Sequence, residues 1–166
     1  MVNIEHSAVQ RVREALASHG LHPEIRWFDV ATTTAQAAAS ALGIEVGAIA
    51  NSLVFALDEV PVLVLTSGSH RVDTQWLGQK LGGSLARASK ELVKDATGQV
   101  IGGVAPVGHV APLRTLVDVA LADYPVVWAA AGHAHSVFPT SYDELLLITG
   151  GEPTAVAPDQ AGQQQI

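Results

Sequence analysis

At 166 residues, with 48% apolar and 15% charged side chains, the chain has the make-up of a compact globular protein, and general disorder is excluded. A formal net charge of −7 opposes nonspecific nucleic-acid binding, and the lack of any cysteine excludes disulfides, thiolate metal sites and a cysteine nucleophile. No apolar run approaches the roughly 20 residues that cross a bilayer, and MVNIEHSAVQ lacks the basic-then-apolar order of a signal peptide, so a cytoplasmic protein without a membrane partner is expected.

In chain order, residues 4–19 place Ile4, Ala8, Val9, Val12, Ala15 and Leu16 at helical spacing, with Gly20 as a left-handed stop. EIRWFDV, 24–30, alternates Ile25, Trp27 and Asp29 against Arg26, Phe28 and Val30, which predicts a strand partly covered on both faces. TTTAQAAASALG, 32–43, offers a threonine N-cap and a short alanine-rich helix that ends at Gly43. SLVFAL and VPVLVLTSG, joined by Asp58-Glu59, predict a core hairpin. Asp73 and Ser89 can cap helices through Leu81 and Ala96, stopped by Gly82 and Gly98, with SLARA as a short strand between them.

IGGVAPVGHVAP, 101–112, holds three glycines and two prolines in twelve residues and reads as a structured loop. TLVDVAL and PVVWAAAG follow as strands, and SYDELLLITG as a last helix with Ser141 and Glu144 in capping-box positions. From Glu152 onward PTAVAPDQAGQQQI finishes one edge strand before a polar tail. There is no internal repeat and no sign of a second domain.

The charge is unevenly spread. Between Gly68 and Lys94 stand Arg71, Lys80, Arg87, Lys90 and Lys94 against only Asp73 and Glu91. The segment is either a solvated helical surface or a local footprint for an RNA end. His133-Ala-His135 invites a metal reading, but two imidazoles are not a site, and no third ligand at zinc spacing is present. GGVAPVG lacks the Gly-Lys-Ser/Thr ending of a phosphate loop, and no GxSxG elbow occurs. In GAIANSLVF, 47–55, Asn51 and Ser52 stand where a buried strand is about to begin, either as a cap or facing a pocket.

Taken together, TTTAQAAASALGIEVGAIANSLVF, VLVLTSGSHRVDTQWLGQKLGG, ELVKDATGQVIGGVAPVGH and VVWAAAGHAHSVFPTSYDELLLITG resemble, in order and spacing, the YbaK family of aminoacyl-tRNA editing domains over about residues 30–150. The resemblance implies an α+β fold: a mixed, barrel-like β-sheet with flanking helices. It also implies one editing domain over 1–151, which includes the N-terminal helix, with an edge segment and polar tail at 152–166. The implied activity is that of an aminoacyl-tRNA deacylase, a trans-editing hydrolase acting on the 3′ end of a mischarged tRNA without cofactor or metal. A cognate aminoacyl-tRNA synthetase is a further partner, and a homodimer is left open. Such editing is needed because an apolar pocket separates substrates one methylene apart by only about 1–3 kcal/mol.

Residue by residue, the family string is close to I-x-K-[ST]-L-V-F, so the family lysine is replaced here by Asn51, while Ser52 keeps the hydroxyl. An amide donates hydrogen bonds but brings no charge. Gly102, Gly103 and Pro106 fit the loop G-G-x-[SA]-P-x-G, whose amides can face a carbonyl oxygen, and Gly132 fits the glycine after the penultimate strand. The resemblance thus assigns catalysis to Asn51 and Ser52 and substrate binding to Gly102, Gly103, Pro106 and Gly132. His133 is added as a proton relay and His109 beside the substrate, because imidazole titrates near neutral pH. The cysteine-specific branch carries Ser and Asp near Ala130 and Val137, so amino-acid specificity does not carry over. Loss of the lysine keeps a second reading open, a non-catalytic relative that binds an amino acid, a small ligand or an RNA end; a purely structural module is the third.

Overall fold

The structure, a computed structural model, describes residues 7–158. Ile4 of the expected first helix and the polar tail from residue 159 lie outside the described residues. Helix α1 (Ser7–Ala17) buries Val9, Val12 and Leu16, the apolar stripe its spacing predicts. Helix α2 (Ala35–Leu42) starts at Thr34, whose hydroxyl accepts from the Ala37 amide, and stops at left-handed Gly43. Asp73 and Ser89 cap α3 (Thr74–Leu81) and α4 (Lys90–Thr97) as expected, with Gly82 and Gly98 at their ends. Helix α5 (Tyr142–Thr149) is capped by Ser141, but the Glu144 carboxylate accepts from the Thr140 hydroxyl, so the box is only half formed.

Eight strands form one mixed sheet: β1 (Arg26–Trp27), β2 (Ile49–Leu57), β3 (Val60–Ser67), β4 (Leu85–Arg87), β5 (Arg114–Asp118), β6 (Val127–Ala130), β7 (Ser136–Thr140) and β8 (Glu152–Thr154). Their order is β1-β7-β6-β2-β3-β5-β8, with β4 also paired to β2. β2 and β3 form the expected hairpin, in register from Ala50↔Ser67 to Leu57↔Val60. Asp58 and Glu59 take φ of 49° and 73°, the double positive turn that matches strand twist in a two-residue hairpin.

One face of the sheet packs Ala50, Val54, Leu63 and Leu65 with α1 and α5, and the other packs Phe55, Val62, Val64 and Leu116 with Leu77 of α3. Ala38 and Ala39 of α2 join Ile49 in a third, smaller cluster.

Three expectations change. The strand over 24–30 shrinks to Arg26–Trp27, because beyond it Phe28 and Thr32 donate instead to the carbonyls of His135 and Ala134 in a turn. TLVDVAL stays extended only to Asp118. That buried carboxylate accepts from the Ala120 amide and turns the chain into a 3₁₀ segment, Val119–Asp123; it also accepts from Thr66 and Ser67 and lies 3.2 Å from His70. SVFPT is a strand that the sequence reading passed over: Pro139 reads as a breaker, yet it lies past the two-residue partner β1, so its missing N–H interrupts no ladder there.

Candidate functional site

The site follows from how β2 shares its second edge. β3 runs along the whole of one side, but the other side is divided: β6 pairs in parallel with Ile49 and Ala50, and β4 pairs antiparallel with Phe55 to Leu57. Between them the edge at residues 51–54 is left without a strand. The Ile49 carbonyl accepts from Gly68 on the β3 side, whereas the Val54 carbonyl accepts from Ala88 and the Asp58 amide donates to Ser84 on the β4 side. Because main-chain groups alternate sides along a strand, the N–H and C=O of Ser52 point into the gap.

A cavity of about 270 Å³ occupies this gap. It falls just below the roughly 300–1,000 Å³ typical of small-ligand sites. Residues 49–54 of β2 form its floor, and Thr32, Thr33 and Thr34 with the start of α2 form one wall. Val93 of α4 and Ile101, Gly102 and Val104 of the glycine loop form another, and Trp128 and Ala130 of β6 close the end.

Asn51 and Ser52 therefore sit inside β2 rather than at its entry, and both line the cavity. The side chains of neighbouring strand residues take opposite faces. Asn51 shares its face with Ile49 and Phe55, and Ser52 shares the core face with Ala50 and Val54. Neither side chain has a hydrogen-bond partner among the described residues, and the Ser52 hydroxyl is buried as well. An unmet buried hydroxyl costs about 1–3 kcal/mol, so its place beside Ala50 and Val54 on an otherwise apolar strand face suits an occupant that meets it.

The loop wall is held from behind by Gln99, which is 1% exposed. Its Oε1 accepts from the Ala105 amide at 2.7 Å, and its Nε2 donates to the carbonyls of Val107 and Gly108 at 3.2 and 3.3 Å. Gly102 has φ +96°, and a Cβ there would touch Thr33; a Cβ on Gly103 would fall 2.8–2.9 Å from the backbone of His133 and Ala134. The two glycines thus thread the loop between the threonine wall and the 133–136 turn, with Gly102 on the cavity side.

The other residues expected at the site lie around this centre. His133 is behind Gly103, outside the lining; its Nδ1 accepts from the His135 amide, and its ring lies 5.5 Å from Trp27 and 5.2 Å from His135. Gly132, at φ +101°, packs against the backbone of Ala8 and Val9 in α1. Pro106 and His109 line a second, more open cavity against the ends of α1 and α5. His109 donates from Nε2 to the Ala105 carbonyl, and burial pulls its pKa below 6.5. Asn51, Ser52 and Gly102 are brought together; Gly103 adjoins them, and the remaining four residues do not reach the cavity.

Arg87 of β4 also lines the cavity, although in the sequence it stands only as one member of the charged segment 68–94. The signal was present in SLARA, where Arg87 alternates with Leu85 on a strand that the flanking caps isolate. Among the described residues the lining includes Asn51, Ser52, Ser136 and three threonines, but no carboxylate, imidazole or lysine. These groups can hold and polarise an ester; none of them is an evident general base.

A family model described as an aminoacyl-tRNA editing domain matches residues 29–148. Uncharacterized protein YwhH of Bacillus subtilis (strain 168) is 26% identical over 139 residues, which cover 83% of this chain and 88% of that protein. A crystal structure described as a candidate trans-editing enzyme for prolyl tRNA synthetase is 40% identical, with a TM-score of 0.84 over 90% of this chain and 96% of that one. The crystal structure of hypothetical protein APE2540, 24% identical, has the same fold with a TM-score of 0.81 over 88% of this chain and 98% of the other.

Proposed function

This chain belongs to the aminoacyl-tRNA editing domain family, and from that premise we propose that it hydrolyses the ester of a mischarged tRNA in the cavity beside β2. The observation that carries the reading is the open edge at residues 51–54, which sets Asn51, the Ser52 main chain and Gly102 around one small cavity. An aminoacyl ester offers a carbonyl oxygen that accepts and an α-ammonium that donates. The gap supplies matching groups in the Ser52 N–H and C=O and the Asn51 amide, and the Gly102-Gly103 segment lets the loop approach closely.

In the reaction water adds to the ester carbonyl carbon, and the bond from that carbon to the ribose oxygen breaks. The ribose oxygen takes one proton of the attacking water, and the other passes to solvent as the amino acid leaves as a carboxylate. With no acid or imidazole in the lining, the proton passes between water and the substrate's own hydroxyl, and the protein contributes orientation and oxyanion contacts. His133 and His109 act at most through the loop they brace. The 40% identical structure motivates a proline tRNA as the carrier and a prolyl-tRNA synthetase as the enzyme whose errors are removed.

The test is a panel of mischarged tRNAs with wild type, Asn51→Ala and Asn51→Lys. The editing reading expects wild type to release one amino acid well above the uncatalysed rate, and Asn51→Ala to lower kcat/KM by about 10–100-fold, the scale of one oxyanion or charge-assisted donor. The absence of an evident base in the lining favours the second reading, a binding protein without chemistry. That reading expects no release across the panel, and a gain of activity in Asn51→Lys alone would identify a disabled editor.

A further inference from the structure

Among the described residues, Arg87 brings the only charge to the lining of the β2 cavity. It projects from β4 opposite Phe55, and paired residues in a ladder share a face, so it stands on the same side of the sheet as Asn51 and Leu53. Its guanidinium lies over the Phe55 ring, 5.7 Å from the centroid. That contact leaves the fork of N–H donors free. Among the described residues the ion pairs are Arg114–Glu152 and His70–Asp118, and no carboxylate or carbonyl is bonded to Arg87.

From Asn51 to Phe55 the strand rises four residues, about 13 Å at roughly 3.3 Å each, and Asn51 and Arg87 line the same cavity. A group whose ester is held at Asn51 would therefore meet the guanidinium within about 13 Å, past one sugar. We infer that Arg87 holds the phosphodiester on the 5′ side of the terminal nucleotide, so that the cavity measures the distance from ester to phosphate. The inference rests on the editing reading. It explains how a chain of net charge −7 seats an RNA end with a neutral residue at position 51: one unspent cation stands a nucleoside's length from the ester.

Other positive groups do not share this position. Lys80 and Arg26 lie over Trp76 and Trp128, and neither is among the described residues that line the cavity. Lys90 and Lys94 continue from Arg87 along α4, but Glu91 and Asp95 alternate with them, so the positive region narrows to a single strong contact rather than a broad footprint. The planar fork also suits a phosphate better than a point charge, because it can give two parallel hydrogen bonds.

The experiment uses the full chain and three esters of the amino acid that wild type removes fastest. They are the aminoacyl-tRNA, the aminoacylated dinucleotide cytidylyl-adenosine, which keeps one phosphodiester, and aminoacyl-adenosine, which has none. For wild type, kcat/KM for the dinucleotide should exceed that for the adenosine ester by about 10–100-fold, the scale of a charge-assisted bond. In Arg87→Ala that ratio collapses toward one; in Arg87→Lys it recovers in part. The slope of log kcat/KM against log salt for the dinucleotide should fall by about 0.7, one phosphate contact on a single strand.

A wild-type ratio near one, or a ratio that survives in Arg87→Ala, overturns the inference and leaves the editing reading standing. Equal losses on all three esters also overturn it, since they would make Arg87 a structural brace. If wild type hydrolyses none of the three, the editing reading falls and this inference with it. Thermal melts of both variants establish that each ratio is measured on folded protein.

Discussion

Replacing Gln99 with leucine should loosen the loop that walls the cavity, because it removes the amide while keeping most of the bulk. Gln99 is 1% exposed and makes three hydrogen bonds across the loop, to Ala105, Val107 and Gly108. Ala105 and Val107 are buried, at 0% and 7% exposure, so the Ala105 amide and the Val107 carbonyl would be left dry and unpaired. Each orphaned group costs about 1–3 kcal/mol. Gly108 is half-buried and can turn to water, and burying leucine in place of the amide returns about 1–2 kcal/mol. The expected loss is about 0–5 kcal/mol, centred near 2.5 kcal/mol, or roughly 5–10 °C in Tm for a protein of this size. Thermal and urea melts give the total, and amide exchange at Ala105 places it in the loop. A Tm within about 2 °C of wild type with Ala105 still protected would refute the account, because the loop would then be held by packing alone.

Two further changes probe the same wall. Gly103→Ala puts a methyl against the backbone of His133 and Ala134, which cannot swing aside, so about 1–3 kcal/mol of strain should appear together with a fall in kcat/KM; unaltered melting and kinetics would mean the 133–136 turn yields freely. Because burial lowers the pKa of His109, the unfolded chain binds a proton before the folded one does as pH falls. The resulting stability is fully present above the unfolded value of 6.5 and is lost below it, down to the folded pKa. Urea midpoints measured at about pH 7.5 and 5 should drop more for wild type than for His109→Gln, which can keep a donor toward Ala105, and parallel drops would exclude His109 as the source.

The helices and the central hairpin were legible because their signals are local. Thr34, Asp73, Ser89 and Ser141 cap the helices they precede, and Gly43, Gly82, Gly98 and Gly150 close them in the left-handed region. What escaped depends on partners distant in the chain. Ser136–Thr140 forms a strand because β6 lies beside it, and the ladder overrides the local meaning of Pro139. β1 is short because the partner segment beyond Ser136 turns away, which no pattern within EIRWFDV encodes. Likewise Asn51, Ser52 and Gly102 could be named from a resemblance, but the eclipse of His133 by Gly103, and the arrival of Arg87 opposite Phe55, follow from strand register.

Register also explains why the site stands where it does. A long strand with an uncovered edge is a hazard, since its free N–H and C=O groups invite another strand to pair. Here β6 and β4 each take one end of β2, and α2 with the threonine run and the glycine loop cover the interval between them. What remains at the exposed main chain is a cavity of about 270 Å³, room for a small group rather than for a strand. A site made from backbone edges tolerates side-chain replacement better than one made from a single ion, because strand geometry, rather than any one residue, fixes its donors and acceptors. That is the physical ground on which a neutral amide can stand at position 51 while the cavity keeps the main-chain donor and acceptor that the proposed ester contact uses.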